Sequence, residues 1–122
     1  MRTTNFWTTI FLLEEIKSAS SGREYLVGSL GNSKIIIKCK PGEQPWSENA
    51  INRWHAEIQP GKGTNTSARF ELLELQEFVS KKGGTYLSGK FGTSRLIVEL
   101  DKALKPKTQR GQAVWRAIVR AA

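Results

Sequence analysis

Hydrophobic and polar residues alternate along two similar stretches of the chain, and a period of two predicts β-strands. The first stretch, YLVGSLGNSKIIIKC, runs from Tyr25 to Cys39, and the second, YLSGKFGTSRLIVEL, runs from Tyr86 to Leu100. Each joins two β-favouring runs through a reversal that contains glycine, which predicts a β-hairpin. Glycines at matched places in the two reversals indicate positive φ or a close backbone approach.

The two stretches are separated by a constant offset of 61 residues, which continues beyond the hairpins on both sides. A register shared over more than thirty positions predicts an internal duplication. We therefore predict one domain, residues 1–122, made of two repeats at about 6–60 and 68–122 with a linker at 61–67. Features that both repeats share follow from the fold, whereas unshared features are candidates for function.

Alternation places one side of each predicted hairpin in a core and the other side outside. The predicted core side consists of Leu26, Leu30, Ile35, Ile37, Cys39, Leu87, Phe91, Leu96, Val98 and Leu100. The outer side carries a tyrosine beside basic residues in both hairpins, namely Tyr25 with Lys34, Lys38 and Lys40, and Tyr86 with Lys90 and Arg95.

Further elements are predicted before and after each hairpin. Residues 12–14 and 72–74 share the letters LLE at an offset of 60, and they predict a strand before each hairpin. Residues 53–59 predict a fourth strand, whereas the corresponding residues 113–122 have high helix propensity, and there we favour a terminal helix over a strand. The prediction is a mainly β fold, with α+β as the alternative: two tandem four-element β-meanders packed as a pseudo-twofold sandwich or barrel.

Charge distinguishes this chain from an ordinary globular domain. Its 122 residues are 39% hydrophobic and 25% charged, but the net charge is +8. A charge of that size favours a polyanionic partner, nucleic acid or an anionic membrane surface, over a protein that is merely basic and soluble. The excess lies in the second half: residues 1–61 hold seven Lys or Arg and six Asp or Glu, and residues 62–122 hold twelve and five. Because the predicted fold repeats and the charge does not, the charge is a candidate for function.

Residues that would mark an enzyme or a metal site are sparse. His55 is the only histidine, its counterpart is Arg116, and no nucleophile–base motif, metal-ligand spacing or phosphate loop accompanies it. We therefore predict no catalysis, no metal and no cofactor. Cys39 is the only cysteine, and we recognise neither a signal peptide nor an apolar stretch of about 20 residues, so we predict an intracellular protein.

Basic and aromatic side chains indicate how a polyanion would be held. Trp54 and Trp115 are matched and are predicted to anchor the core. Trp46 instead stands in a polar loop where the second repeat has Lys107, which makes it a candidate stacking or interface residue, with a cap on the end of the barrel as the alternative. The full set of candidate nucleic-acid contacts is Tyr25, Lys34, Lys38, Lys40, Trp46, Tyr86, Lys90, Arg95, Lys105, Lys107, Arg110, Arg116 and Arg120.

These observations predict a small non-enzymatic protein that binds single-stranded DNA or RNA with little sequence specificity. The hairpin faces would stack bases, and the basic C-terminal segment would contact the backbone. The alternative is a protein-interaction module, an inhibitor or a subunit of a nucleoprotein assembly, that docks on an acidic surface. A protein partner or a homo-oligomer is compatible with both hypotheses, and we predict neither a membrane partner nor a small-molecule substrate.

Overall fold

The described residues of the chain form β-strands joined by loops. The computed structural model describes residues 7–17, 24–40, 42–60 and 69–120, so the predicted linker at 61–67 lies outside the described residues. Within those ranges there are eight strands and no helix. The strands are β1 Trp7–Lys17, β2 Glu24–Leu30, β3 Ser33–Lys40, β4 Ala50–Gln59, β5 Phe70–Val79, β6 Thr85–Phe91, β7 Ser94–Leu100 and β8 Gly111–Arg120.

The eight described strands close into one antiparallel barrel in chain order. Each strand pairs with the next, and β8 returns to pair with β1. Closure leaves no open sheet edge among these strands, which removes the unpaired backbone groups that an edge would expose. The prediction of a mainly β fold is confirmed, and its architecture is one closed barrel rather than two stacked sheets.

The last element is a strand, so the prediction of a C-terminal helix is wrong. Trp115 of β8 is opposite Leu13 on one side and Leu100 on the other. A helix at this place would leave one edge of β1 and one edge of β7 unpaired, and the ladder bonds to both strands outweigh the helix propensity of residues 113–120. The repeat had instead predicted a strand here, as in the matching residues 53–59, and the strand β8 agrees with that alternative.

Alternate residues of every strand point into the barrel and form a single core. The buried side chains of this core are Phe11, Leu13, Leu26, Ile35, Ile37, Ala56, Leu75, Leu87, Leu96, Val98 and Ala117. Trp54 and Trp115 are partly buried and pack against it, as predicted for core anchors. Leu30, Phe91 and Leu100 were predicted in the core but are exposed at 38%, 40% and 39%, because each lies at the end of its strand, at the barrel rim.

Two glycines fix how closely β2 and β6 approach the strands before them. A Cβ at Gly28 would lie 2.3 Å from the Leu12 carbonyl oxygen, and a Cβ at Gly89 would lie 2.3 Å from that of Glu74. Leu12 and Glu74 are therefore the matched positions of β1 and β5, at an offset of 62. The predicted offset of 60 aligned identical letters, Leu12 with Leu72 and Glu14 with Glu74, and it differs by two residues from the pairing that these backbone contacts give.

Candidate functional site

Two loops fold back onto the outer wall of the barrel and are fixed there in similar ways. The β3–β4 loop is held by the Ser47 amide, which donates to Gln76 Oε1 on β5 at 2.8 Å. The β7–β8 loop is held by Thr108, whose hydroxyl donates to Glu14 Oε1 on β1 at 2.6 Å and whose amide donates to the same oxygen at 3.3 Å. Each loop and the wall beneath it enclose a groove.

The first groove, which we term the lysine groove, lies between the β1–β2 wall and the β7–β8 loop. Its volume is about 550 Å³. The apolar part of its lining consists of Leu12, Leu13, Ile16, Val27, Leu104 and Val114. Lys34, Lys105 and Lys107 supply its positive charge. No carboxylate of the described residues forms an ion pair with these three ammonium groups.

One carboxylate, that of Glu14, also lines the lysine groove, and it accepts hydrogen bonds from the β7–β8 loop. The Thr108 hydroxyl, together with the amides of Lys107 and Thr108, holds the pKa of Glu14 below its ordinary value. The amide of Lys107 donates to Glu14 Oε2 at 3.2 Å. The positive charge of Lys107 also lowers this pKa, and the groove lining as a whole keeps an excess of positive charge, with three lysines and one glutamate.

The second groove, which we term the tryptophan groove, lies between the β5–β6 wall and the β3–β4 loop. Its volume is about 500 Å³, and Trp46, Ser88, Lys90 and Arg95 are among the residues that line it. Trp46 is 61% exposed. The Arg53 guanidinium lies over its ring, 3.8 Å from the centroid, which is a cation–π contact.

Carboxylates fix the guanidinium that supports Trp46. Arg53 contacts Glu74 and lies 3.3 Å from the Glu43 carboxylate. Hydrogen bonds from Arg53 and from Lys40, the latter 3.0 Å long, hold the pKa of Glu74 at about 2. Glu74 also lines the tryptophan groove, but two cations neutralise its charge.

A row of three cations crosses β6, β7 and β8 beside the tryptophan groove. Lys90 is directly opposite Arg95, and Arg95 is directly opposite Arg120. Arg95 Nη1 donates to Ser88 Oγ at 2.9 Å, whereas no carboxylate of the described residues forms an ion pair with Lys90 or Arg95. Like charges directly opposite one another on a sheet repel, so an anion placed between Lys90 and Arg95 would be favourable.

Other predicted cations are engaged with groups of the protein itself. Lys38 lies 3.5 Å from Glu57, and Arg116 Nε donates to Glu99 at 2.8 Å. Arg110 donates to the Lys17 carbonyl at 3.2 Å. Their side chains line neither groove.

The two predicted tyrosines also lie outside the grooves. Tyr86 stacks on Phe78 with a centroid distance of 5.6 Å, and Tyr25 is opposite Lys38 in the β2–β3 ladder. The two hairpins are four strands apart in a ring of eight, so they lie on opposite sides of the barrel. Their outer faces therefore form two separate surfaces and not one continuous platform.

Sequence reasoning identified six residues that line the grooves, but not the residues that hold the loops and the tryptophan in place. Glu14, Gln76 and Arg53 fix the loops and the tryptophan, and each does so through a partner more than five residues away. The available signal was the offset: Ser47 and Thr108 are 61 residues apart, and both are hydroxyl residues that begin the approach to the fourth strand of a repeat.

His55, the only histidine of the sequence, belongs to β4 and lies beside an acidic residue of the same strand. His55 Nε2 lies 3.4 Å from Glu57 Oε2, on the outer face of β4 beside Lys38 and Glu74 in register. Within the described ranges, no group of three or more His, Cys, Asp or Glu could hold a metal ion.

No similar protein indicates a function for this chain, so its function has to be inferred from the residues that line the grooves. Within the described ranges, no helix has the length and apolar character needed to cross a membrane. No protein-family model matches the chain, and neither a curated protein nor a solved structure is significantly similar to it.

Proposed function

We propose that the chain is a small, basic, intracellular nucleic-acid-binding protein without enzymatic activity, which binds single-stranded DNA or RNA with little sequence specificity. The observation that carries this proposal is that some of the candidate cations form ion pairs with carboxylates, whereas others line a groove and form none among the described residues. Lys38 and Arg116 have carboxylate partners, whereas Lys34, Lys105 and Lys107 line one groove without any among the described residues. The lining of that groove contains these three ammonium groups and one carboxylate, Glu14, and an excess of positive charge beside a groove is suited to a chain of phosphates.

The apolar floor of the lysine groove favours a single strand over a duplex. Unpaired bases expose apolar faces, and side chains such as Leu12 and Val27 offer surface on which these faces can be buried. A duplex keeps its bases stacked inside, so it would gain little from such a floor. Lysine ammonium groups act as point charges without fixed hydrogen-bond direction, which is why we propose little sequence readout.

The two grooves also support the inferred internal duplication. Both hairpins have the same pairing register at an offset of 61. Tyr25 lies opposite Lys38 in the first hairpin, and Tyr86 lies opposite Glu99 in the second. One unit of wall and loop, present twice, supplies two grooves. Residues that differ between the copies, with Trp46 in one and Lys107 in the other, then give the grooves different chemistry.

The salt dependence of binding tests the proposal. Log affinity for a single-stranded oligonucleotide should fall linearly with log salt, by about 0.7 for each phosphate neutralised. Neutralising both loop lysines, by Lys105→Gln with Lys107→Gln, should make this slope shallower by roughly 1.4. The matched control is Lys81→Gln with Lys82→Gln, two exposed lysines of the β5–β6 turn that line neither groove, and it should leave the slope unchanged. Equal effects of the two double variants would contradict a defined binding groove.

The alternative hypothesis, a protein-interaction module that docks on an acidic surface, is favoured by one observation. Trp46 is exposed at 61% in a loop that fixed contacts hold in place, as an interface residue would be. An acidic polypeptide such as polyglutamate distinguishes the two hypotheses. It should compete with an oligonucleotide only at much higher concentration if nucleic acid is the ligand, and equally well if the surface recognises acidic protein.

A further inference from the structure

We propose that the tryptophan groove is a nucleotide-binding site, in which a base stacks on Trp46 and the adjoining phosphate binds between Lys90 and Arg95. This inference rests on the proposed nucleic-acid binding and adds stacking on an aromatic ring, which the lining of the lysine groove does not offer. Its ligand is a nucleotide unit of a single strand, recognised by the flat face of any base and by the charge of one phosphate.

Trp46 is held ready to stack before any ligand arrives. Arg53 covers one face of the ring at 3.8 Å, so the 61% exposure of the side chain belongs largely to the opposite face and the ring edge. Glu43 and Glu74 fix Arg53, and the Ser47 amide fixes the loop through Gln76. A ring immobilised in this way loses little conformational entropy on binding, which favours affinity.

The phosphate position follows from the repulsion between two neighbouring cations. Lys90 and Arg95 are directly opposite each other on β6 and β7, and both line the groove that Trp46 borders. The hydrogen bond from Arg95 to Ser88 Oγ orients the guanidinium, and Ser88 itself is 6% exposed and therefore well fixed. An anion between the two cations would replace repulsion with two attractive charge-assisted contacts.

The matched positions of the lysine groove show which features belong to this site alone. At the offset of 61, Lys107 corresponds to Trp46, Ser29 to Lys90, and Lys34 to Arg95. The lysine groove thus has no aromatic ring and no pair of opposed cations at these places. The same wall and loop therefore build a groove with an apolar floor and lysines on one side of the barrel, and a groove with a stacking ring and opposed cations on the other.

An oligonucleotide without bases separates stacking from charge. We compare a thymidine oligonucleotide of about 12 units with a chain of the same length made of abasic sugar phosphates. Trp46→Ala should weaken binding of the thymidine oligonucleotide by roughly tenfold or more and leave binding of the abasic chain unchanged. Trp46→Phe should retain most of the affinity. Lys107→Ala, at the matched position, should weaken binding of both ligands by the same factor.

The outcomes distinguish failure of this inference from failure of the proposed function. If the wild type binds the thymidine oligonucleotide and Trp46→Ala binds it equally well, stacking on Trp46 is wrong while nucleic-acid binding stands. An equal loss for both ligands on Trp46→Ala would also overturn the inference, since it would indicate a structural role of the ring. Negligible binding of either ligand by the wild type would overturn the proposed function itself. Lys90→Gln with Arg95→Gln provides an independent check and should weaken binding of both ligands.

Discussion

The indole of Trp115 donates a hydrogen bond of 2.8 Å to Glu15, and this contact has a counterpart across the barrel, where Trp54 donates to Glu77 at 2.9 Å. In both pairs the tryptophan belongs to the last strand of a predicted repeat, and the glutamate belongs to a strand next to it. All four side chains line a small pocket of about 100 Å³ at one end of the barrel. The two pairs therefore close this end with apolar surface whose polar atoms are satisfied.

Truncating either of these indoles should destabilise the barrel. Trp115→Ala and Trp54→Ala should each lower the free energy of unfolding by roughly 3 kcal/mol, the lower end of the range for core aromatics because both rings are only partly buried. Trp46→Ala is the matched control, and it should cost less than about 1 kcal/mol since it removes an exposed ring and one cation–π contact. Urea unfolding measures all three. An equal cost for Trp46 and Trp115 would contradict the division between core and surface tryptophans.

Ionisation of Glu15 should lower the free energy of unfolding as pH rises, whereas ionisation of a salt-bridged carboxylate raises it. Burial, together with the neighbouring Glu24, raises the pKa of Glu15 above its ordinary value, although the Trp115 hydrogen bond opposes the shift. The folded state then holds its proton to higher pH than the unfolded state does. Stability should therefore fall as pH rises from the ordinary carboxyl pKa through the raised one, and remain lower above it.

Glu15→Gln tests this sign, because glutamine keeps an oxygen for the Trp115 indole but cannot ionise. Its melting temperature at neutral pH should exceed that of the wild type, and the difference should vanish towards about pH 4. Glu77→Gln is the control: Trp54 and Asn52 both donate to Glu77 Oε1, and glutamine keeps an oxygen at that place, so this variant should not melt above the wild type at neutral pH. A Glu15→Gln protein that gains no more in melting temperature than Glu77→Gln would contradict the predicted role of burial at Glu15.

The sequence was a good guide to the hairpins because their signals are local. Alternation placed Leu26, Ile35 and Ile37 on the inner face, where they are buried. Matched glycines were expected at positive φ or at close backbone approaches, and Gly31 at φ 62° and Gly28 beside Leu12 provide one example of each. Period and turn chemistry depend on a few neighbouring residues, so a single chain contains enough information to predict them.

Barrel closure and the grooves depend on partners far apart in the chain, which no local pattern specifies. Propensity favoured a helix at 113–122, but pairing with β1 and β7 decided the outcome for its described residues. The contact between Glu14 and Thr108 spans 94 positions and creates the lysine groove. Counting charge located the basic half of the chain correctly, yet it could not separate Arg116, paired with Glu99, from Lys107, which lines a groove without such a partner.

The placement of the two grooves leads to a prediction about stoichiometry. The walls of the lysine groove and the tryptophan groove, β1–β2 and β5–β6, are four strands apart in a ring of eight, so the grooves lie on opposite sides of the barrel. At a strand spacing of about 4.8 Å, a path around the wall between them covers about 20 Å. An oligonucleotide of about 4 units should fill one groove only, so two should bind per protein.

A longer strand should bind differently, because its two parts can occupy both grooves of one protein. An oligonucleotide of about 16 units should bind with a stoichiometry of one and with higher affinity than the short one, through the effective concentration of its second part. Trp46→Ala should weaken binding of the short oligonucleotide at the tryptophan groove by roughly tenfold or more, so that the lysine groove is filled well before the second site. Titration calorimetry measures these numbers directly. One short oligonucleotide per wild-type protein, at concentrations that saturate binding, would show that the grooves are not two independent sites.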